Sequence, residues 1–201
     1  MRALVYFLAL PTVVVAQAWT PYRSHYTITT TVRNAQGSIL QKISKDMHEI
    51  RENDGSTVTN EEVSGRTVST VIRLACGDFV SLNYSKKTAS ITNFPGSIAQ
   101  HFQPPPNDPP IGTATIAGLK VTGWPAHTQN GTAAMWFDVK NDILVKTEAH
   151  IKNPNGIVID EIRELKAIDL MSPVDPSATK LPPGFVMDSG SKAPCDPTII
   201  P

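Results

Sequence analysis

The sequence predicts a nearly all-β protein: one antiparallel sheet of about nine to ten strands with little helix. Three observations carry this. β-Branched residues and period-two alternation run through the chain after residue 18, helical periodicity is weak, and Gly, Asn, Asp and Pro punctuate the apolar runs at short intervals. At 201 residues the chain suits a single domain.

The first hairpin is the clearest element. In "YRSHYTITTTVRN", Tyr22, Tyr26, Ile28 and Val32 fall on one face, "AQG" turns the chain, and "SILQKISKDMHEI" returns with Ile39, Ile43 and Met47 in phase. "RENDG" makes the next turn, and "STVTNEEVSG" leads into "RTVSTVIRLA". "CGD" then reverses the chain, "FVSLNY" runs back, and "SKK" turns into "TASITNF". Short strands joined by such tight turns pair with their neighbours as a meander.

The stretch "PGSIAQHFQPPPNDPPIG" breaks the rhythm. Proline lacks an amide donor and disfavours helix in its predecessor, so Pro104 to Pro110 predicts an extended surface loop. It is a stiff connection between two halves of the sheet or a docking segment for a partner, and Ser97 to Phe102 is compatible with a short helical turn.

"TATIAGLKVTGW" reads as one strand opening the second half, with Ala117, Leu119 and Val121 on one face and Ile116, Lys120 and Trp124 on the other. "TAAMWFDV" sets Met135, Phe137 and Val139 together with Trp136 opposite, and "ILVKTEAHI" brings Ile143, Val145, Ala149 and Ile151 into phase. The last segment, "IVIDEIRELKAIDL", contains a helix-like run, but its start directly after the "NPNG" turn favours a strand.

Residues 1–18 read as an export signal. Arg2 supplies a charge, Ala3 to Leu10 and Val13 to Ala16 supply the apolar run, and Ala16-Gln17-Ala18 matches the small-x-small cleavage pattern. Pro11 interrupts the run, which is too short for the roughly 20 apolar residues of a membrane span. The mature chain is expected to begin at Trp19 and to be periplasmic or secreted, with a domain over residues 19–186 and a flexible Pro/Gly/Ser-rich tail over 187–201. Cys76 and Cys195 either pair in that oxidising compartment, pinning the tail to the sheet, or remain free thiols.

Lys plus Arg equals Asp plus Glu at 18 each, and the charges are scattered singly. This argues against nucleic acid and against electrostatic attachment to an anionic bilayer. His25, His48, His101, His127 and His150 show no metal-ligand spacing, and no nucleophile elbow or phosphate loop occurs. Glu52, Asp54, Gly55 and Glu61 match four positions of a calcium loop, but Ile50 stands where the first acidic ligand is required. Glu61 with Glu62, and Asp160 with Glu161, alternate across a strand rather than converging, so a solvated face is the expectation for them. No catalytic residue, metal or cofactor is therefore expected. Asn83 to Ser85 and Asn130 to Thr132 form glycosylation sequons that matter only in a eukaryotic secretory pathway.

The "GLKVTGW" strand, the "MWFDVKNDILVKTEA" hairpin with Trp136, the strand ending "ELKAIDL" and the closing "VDPSATKLPPGF" together resemble the LolA-like group of outer-membrane lipoprotein-sorting proteins and their exported relatives, over about Tyr22 to Phe185. Two features depart from the group: no amphipathic helix is evident before the first strand, and Ala178 and Thr179 stand where relatives often carry Leu-Phe. The resemblance implies a curved sheet forming an incomplete β-barrel, whose concave apolar face accepts acyl chains without any catalytic group. The expected inner face includes Ile28, Leu119, Val121, Met135, Phe137 and Val145. It serves either a hydrophobic small molecule or lipid in an exported, non-enzymatic carrier, or simply the core of a structural or sensory envelope module that binds another protein.

Overall fold

A computed structural model describes residues 18–93, 100–128 and 130–200. The export signal falls almost wholly on residues 1–17, outside the described residues, as do positions 97–99 of the expected helical turn; Gln100 to Phe102 is irregular.

The elements are β1 (Tyr22–Arg33), β2 (Ile39–Arg51), β3 (Thr57–Val63), β4 (Arg66–Arg73), β5 (Asp78–Asn83), β6 (Thr88–Asn93), β7 (Gly112–Ile116), β8 (Leu119–Thr128), β9 (Gly131–Asp138), β10 (Ile143–Lys152), β11 (Val158–Asp169) and β12 (Val186–Met187), followed by a 3-10 turn at Pro197–Ile199. They form one sheet in the order β12-β6-β5-β4-β3-β2-β1-β11-β10-β9-β8-β7, open at both ends. The mainly β, helix-poor reading holds, but the strands number twelve and β12 pairs with β6 in parallel.

One extra strand arises because "TATIAGLKVTGW" is a hairpin rather than a single strand. Ala117 and Gly118 both take positive φ, 48° and 80°, the condition of a two-residue turn matched to strand twist. Ile116 then pairs with Leu119 and Ala114 with Val121. A two-residue turn preserves the alternation on either side of it, which is why the pattern read as continuous. The supposed inner face changes as well: Phe137 pairs with Thr122, and Met135 with Trp124. Val139 lies exposed in the β9–β10 turn.

The sheet buries apolar side chains on both faces, in different places. Ile50, Val58, Ile72, Val80 and Ile91 align across β2 to β6, and this face packs against Leu181, Phe185 and Ile199 from the C-terminal segment. Tyr22, Tyr26 and Met47 point to the opposite face, where they meet Val121, Ile143, Val145 and Leu165. Adjacent residues in a strand face opposite ways, so Met47 and Ile50 serve different cores.

The C-terminal segment makes its own contacts with the sheet. Cys195 is disulfide-bonded to Cys76, and its N–H donates to buried Asp78, whose other oxygen accepts from Asn93 of β6. Ser191 Oγ accepts from the Ile91 N–H, the Leu181 N–H donates to the Ile199 carbonyl, and Thr179 donates twice to Glu52. The tail supplies apolar cover that a single sheet lacks by itself.

On the other face the sheet curves. β2 and β10 are three strand steps apart, roughly 14 Å if the sheet were flat. Yet Arg51 at the end of β2 donates to the carbonyls of Asn141 and Asp142 in the turn before β10, at 2.7 and 2.6 Å. An arginine side chain cannot cross that flat distance, so the strands bend towards one another. Tyr26 makes a similar bridge, its hydroxyl donating to the Leu144 carbonyl two strands away.

Candidate functional site

The bend encloses a cleft of about 400 Å³. Its floor is written in the strand register: Tyr22, Arg51, Thr57, Arg73 and Phe79 are successive cross-strand partners over five strands. The adjacent row holds Ser24, Glu49, Thr59, Val71 and Ser81. The facing wall comes from Phe137, Asp142, Leu144 and the segment Gln100 to Phe102, with Trp19 at one end.

That wall is assembled by the β9–β10 turn. Asp138 orders it by accepting from the Lys140 N–H and the Asn141 side-chain amide. Asp142 then accepts from the Phe102 N–H and bonds to His101 Nδ1, both at 2.9 Å. His101 stacks on Trp19, while Phe102 stacks on Phe137 at 3.7 Å between ring centroids and lies tilted against Trp124. An aromatic plug thus occupies the apolar end of the cleft.

The polar end is electropositive in composition, with Arg51, Arg73 and Arg163 lining it beside Glu49 and Asp142. Arg51 is spent on structure: it donates to three carbonyls and its guanidinium lies over the Trp19 and Tyr22 rings. Glu49 accepts from Tyr22, Thr59 and Arg163. Arg163 also stacks over Tyr26 at 4.1 Å, and its buried Nε lacks a hydrogen-bond partner. The arrangement can hold an apolar chain against aromatic rings and present guanidinium to a polar or anionic group.

Burial, reinforced by the charge of Glu49, pushes the Tyr22 phenol well above its ordinary value and the Tyr26 phenol up to about 12. Unfolded phenols ionise near pH 10. Between that value and about 12 the unfolded chain has lost protons that the folded chain retains, so its stability, complete below pH about 10, falls as pH rises through this window. For Tyr26 the loss should approach roughly 2 to 3 kcal/mol. Urea unfolding across the window, with phenolate absorbance as the second readout, checks this; a flat stability profile would contradict it.

The structure separates the predicted ligand-contact residues. Ile28, Val121 and Val145 are buried in the core, Leu119 packs against that core half-buried, and Met135 is half-buried on β9. Of the six, Phe137 lines this cleft. Glu49, Arg51, Arg73, Phe102 and Arg163 escaped the sequence reading. A signal existed for two of them, because Glu49 and Arg51 continue the alternation of Met47 onto the inner face. Among the histidines, His25 bonds to Asp46 and stacks on His48, and His150 bonds to Asp160 on an exposed face. Among the described residues no cluster of His, Cys, Asp and Glu has metal-site geometry, and no helix is long and apolar enough to cross a membrane.

No family model and no curated protein matches this chain. Among solved structures it is similar to MucB in complex with MucA(peri), at 11% identity and a TM-score of 0.45, over 82% of this chain and 55% of that one. The chain thus spans about half the length of that protein. It is similar to a LolA superfamily protein from Nitrosomonas europaea, at 8% identity and a TM-score of 0.40, over 77% of this chain and 87% of that one. A putative outer membrane lipoprotein-sorting protein domain from Vibrio parahaemolyticus matches at 9% identity and a TM-score of 0.37, over 80% of this chain and 89% of that one.

Proposed function

We propose that this chain is an exported, non-enzymatic binding protein that holds one lipid or acyl chain in the cleft of a half-barrel. The observation that carries the reading is the cleft itself: about 400 Å³ between strand rows and an aromatic wall, within the size range of small-molecule sites. An acyl chain displacing Phe102 from Phe137 would exchange one apolar contact for another, and each methylene removed from water contributes about 0.8 kcal/mol. Arg163 lines the cleft and its buried Nε has no hydrogen-bond partner, which supports assigning it the ligand's polar end. The absence of nucleophile and phosphate motifs from the sequence favours binding without chemistry.

A second reading, a structural or sensory envelope module that binds another protein, draws on the burial of Ile28, Val121 and Val145, which fill much of the expected inner face as core. The test is to purify the exported protein from its native compartment, extract it for lipid mass spectrometry, and titrate the delipidated protein with a hydrophobic fluorescent probe. A stoichiometric lipid and saturable probe binding are expected. Recovery of no lipid together with no probe binding would sink the carrier reading.

A further inference from the structure

A β-sheet edge displays unpaired N–H and C=O groups, and proteins guard such edges with charge, proline, shortness or a covering segment. Two open edges of this sheet are guarded. Beyond its pairing with β3, which starts at Asp46, the outer part of β2 carries Lys42 and Lys45. At the sheet's far side, β6 is covered by the two-residue β12 and by the tail that the disulfide holds down.

β7 ends the sheet on the other side, and among the described residues no strand or segment pairs with its outer edge. Its residues Gly112–Ile116, "GTATI", contain no charge and no proline, and Thr113, Ala114 and Thr115 are exposed. In a hairpin with a two-residue turn, the pair flanking the turn exchanges backbone hydrogen bonds, and bonded pairs alternate with non-bonded ones. Ile116 flanks the turn opposite Leu119, so Ala114 also bonds towards Val121 of β8. The N–H and C=O groups of Thr113 and Thr115 consequently point outward.

We propose that β7 pairs with β7 of a second copy of this chain, antiparallel about a two-fold axis through Ala114. The sequence around that axis is self-complementary. Thr113 of each copy faces Thr115 of the other, and these are the residues whose backbone groups are free, giving four hydrogen bonds. Ala114 faces its counterpart at the non-bonded position, where the Cα atoms approach to about 4.5 Å and a small side chain fits. Gly112 faces Ile116, no like charges are opposed, and threonine pairs are favourable cross-strand neighbours. The contact is isologous and closed, as two-fold dimers require. A strand pair of this length buries less than the roughly 1,200 Å² of a standard interface, so the dimer is reversible and depends on concentration.

Sedimentation of the exported protein over a concentration series reads this directly. Wild type should show a monomer–dimer equilibrium. Thr115→Pro removes an outward N–H without touching the β7–β8 ladder, and should weaken dimerisation at least tenfold with unchanged circular dichroism. Ala114→Lys and Ala114→Glu should each abolish self-association, and an equimolar mixture should restore it as a heterodimer. Lys42→Ala, on the guarded edge, should change nothing. A strictly monomeric wild type, an unaffected Thr115→Pro, or failure of the two Ala114 variants to rescue one another would each overturn the proposal.

Discussion

Reducing the Cys76–Cys195 disulfide should lower the unfolding free energy by about 5 kcal/mol. The bridge closes a loop with a sequence separation of 119, and the chain-entropy relation gives that figure for the unfolded chain. Its position sharpens the expectation. Cys76 sits in the β4–β5 turn, and Cys195 lies just before the 3-10 turn that delivers Ile199 to the core. Without the covalent tie, Ile199, Phe185 and Leu181 are held over Ile72 and Val80 by burial and a few hydrogen bonds, notably from the Cys195 N–H to the Asp78 carboxylate. Urea denaturation with and without reductant measures the difference, and a Cys76→Ala, Cys195→Ala double variant reproduces it without reductant. A change below about 1 kcal/mol would show that the tail is not constrained through this link.

Arg51→Ala should cost about 3 to 5 kcal/mol and abolish probe binding in the cleft. Arg51 is 4% exposed and donates to the carbonyls of Thr20, Asn141 and Asp142, so truncation leaves several buried acceptors without partners. It also removes the cation from between Trp19 and Tyr22 and releases the β9–β10 turn, which positions Phe102 through Asp142. Arg51→Lys should recover only part of the loss, because one ammonium cannot reproduce the forked donation to two carbonyls. Denaturation midpoints and probe titration check both variants. Wild-type stability in the alanine variant would refute this account of the curvature.

The first hairpin was legible because local rules and tertiary burial agree over its inner half, although Ile39 and Ile43 at the outer end of β2 lie exposed. Tyr22, Tyr26 and Ile28 alternate inward, Met47 answers from the opposite strand, and the turn at Asn34 to Ser38 has a glycine at φ 84°. "TATIAGLKVTGW" was misread because a two-residue turn leaves period-two alternation intact, and alanine at φ 48° gives no compositional warning. The tail's proline, glycine and serine content resembles disorder, while its contact with the sheet rests on Ile199 and on a disulfide whose partner is far away in sequence.

The cleft was the least legible feature. Arg51 falls within the "RENDG" turn signal, and an arginine buried by carbonyls 91 residues away leaves no local trace. Alternation reports which face is inward, not whether that face is packed shut. Ile28, Val121 and Val145 are buried in the core, whereas Phe137, which shares its face with Thr122 rather than Val121, lines the cleft.

By itself, the sequence determined the β class, most strand positions and the absence of familiar catalytic motifs, all of which depend on local period and composition. Only the tertiary structure decided that the sheet carries cores on both faces, that the tail closes one of them, and that the bend of the other makes a cleft. Those properties follow from contacts between residues distant along the chain, which short-range pattern does not encode.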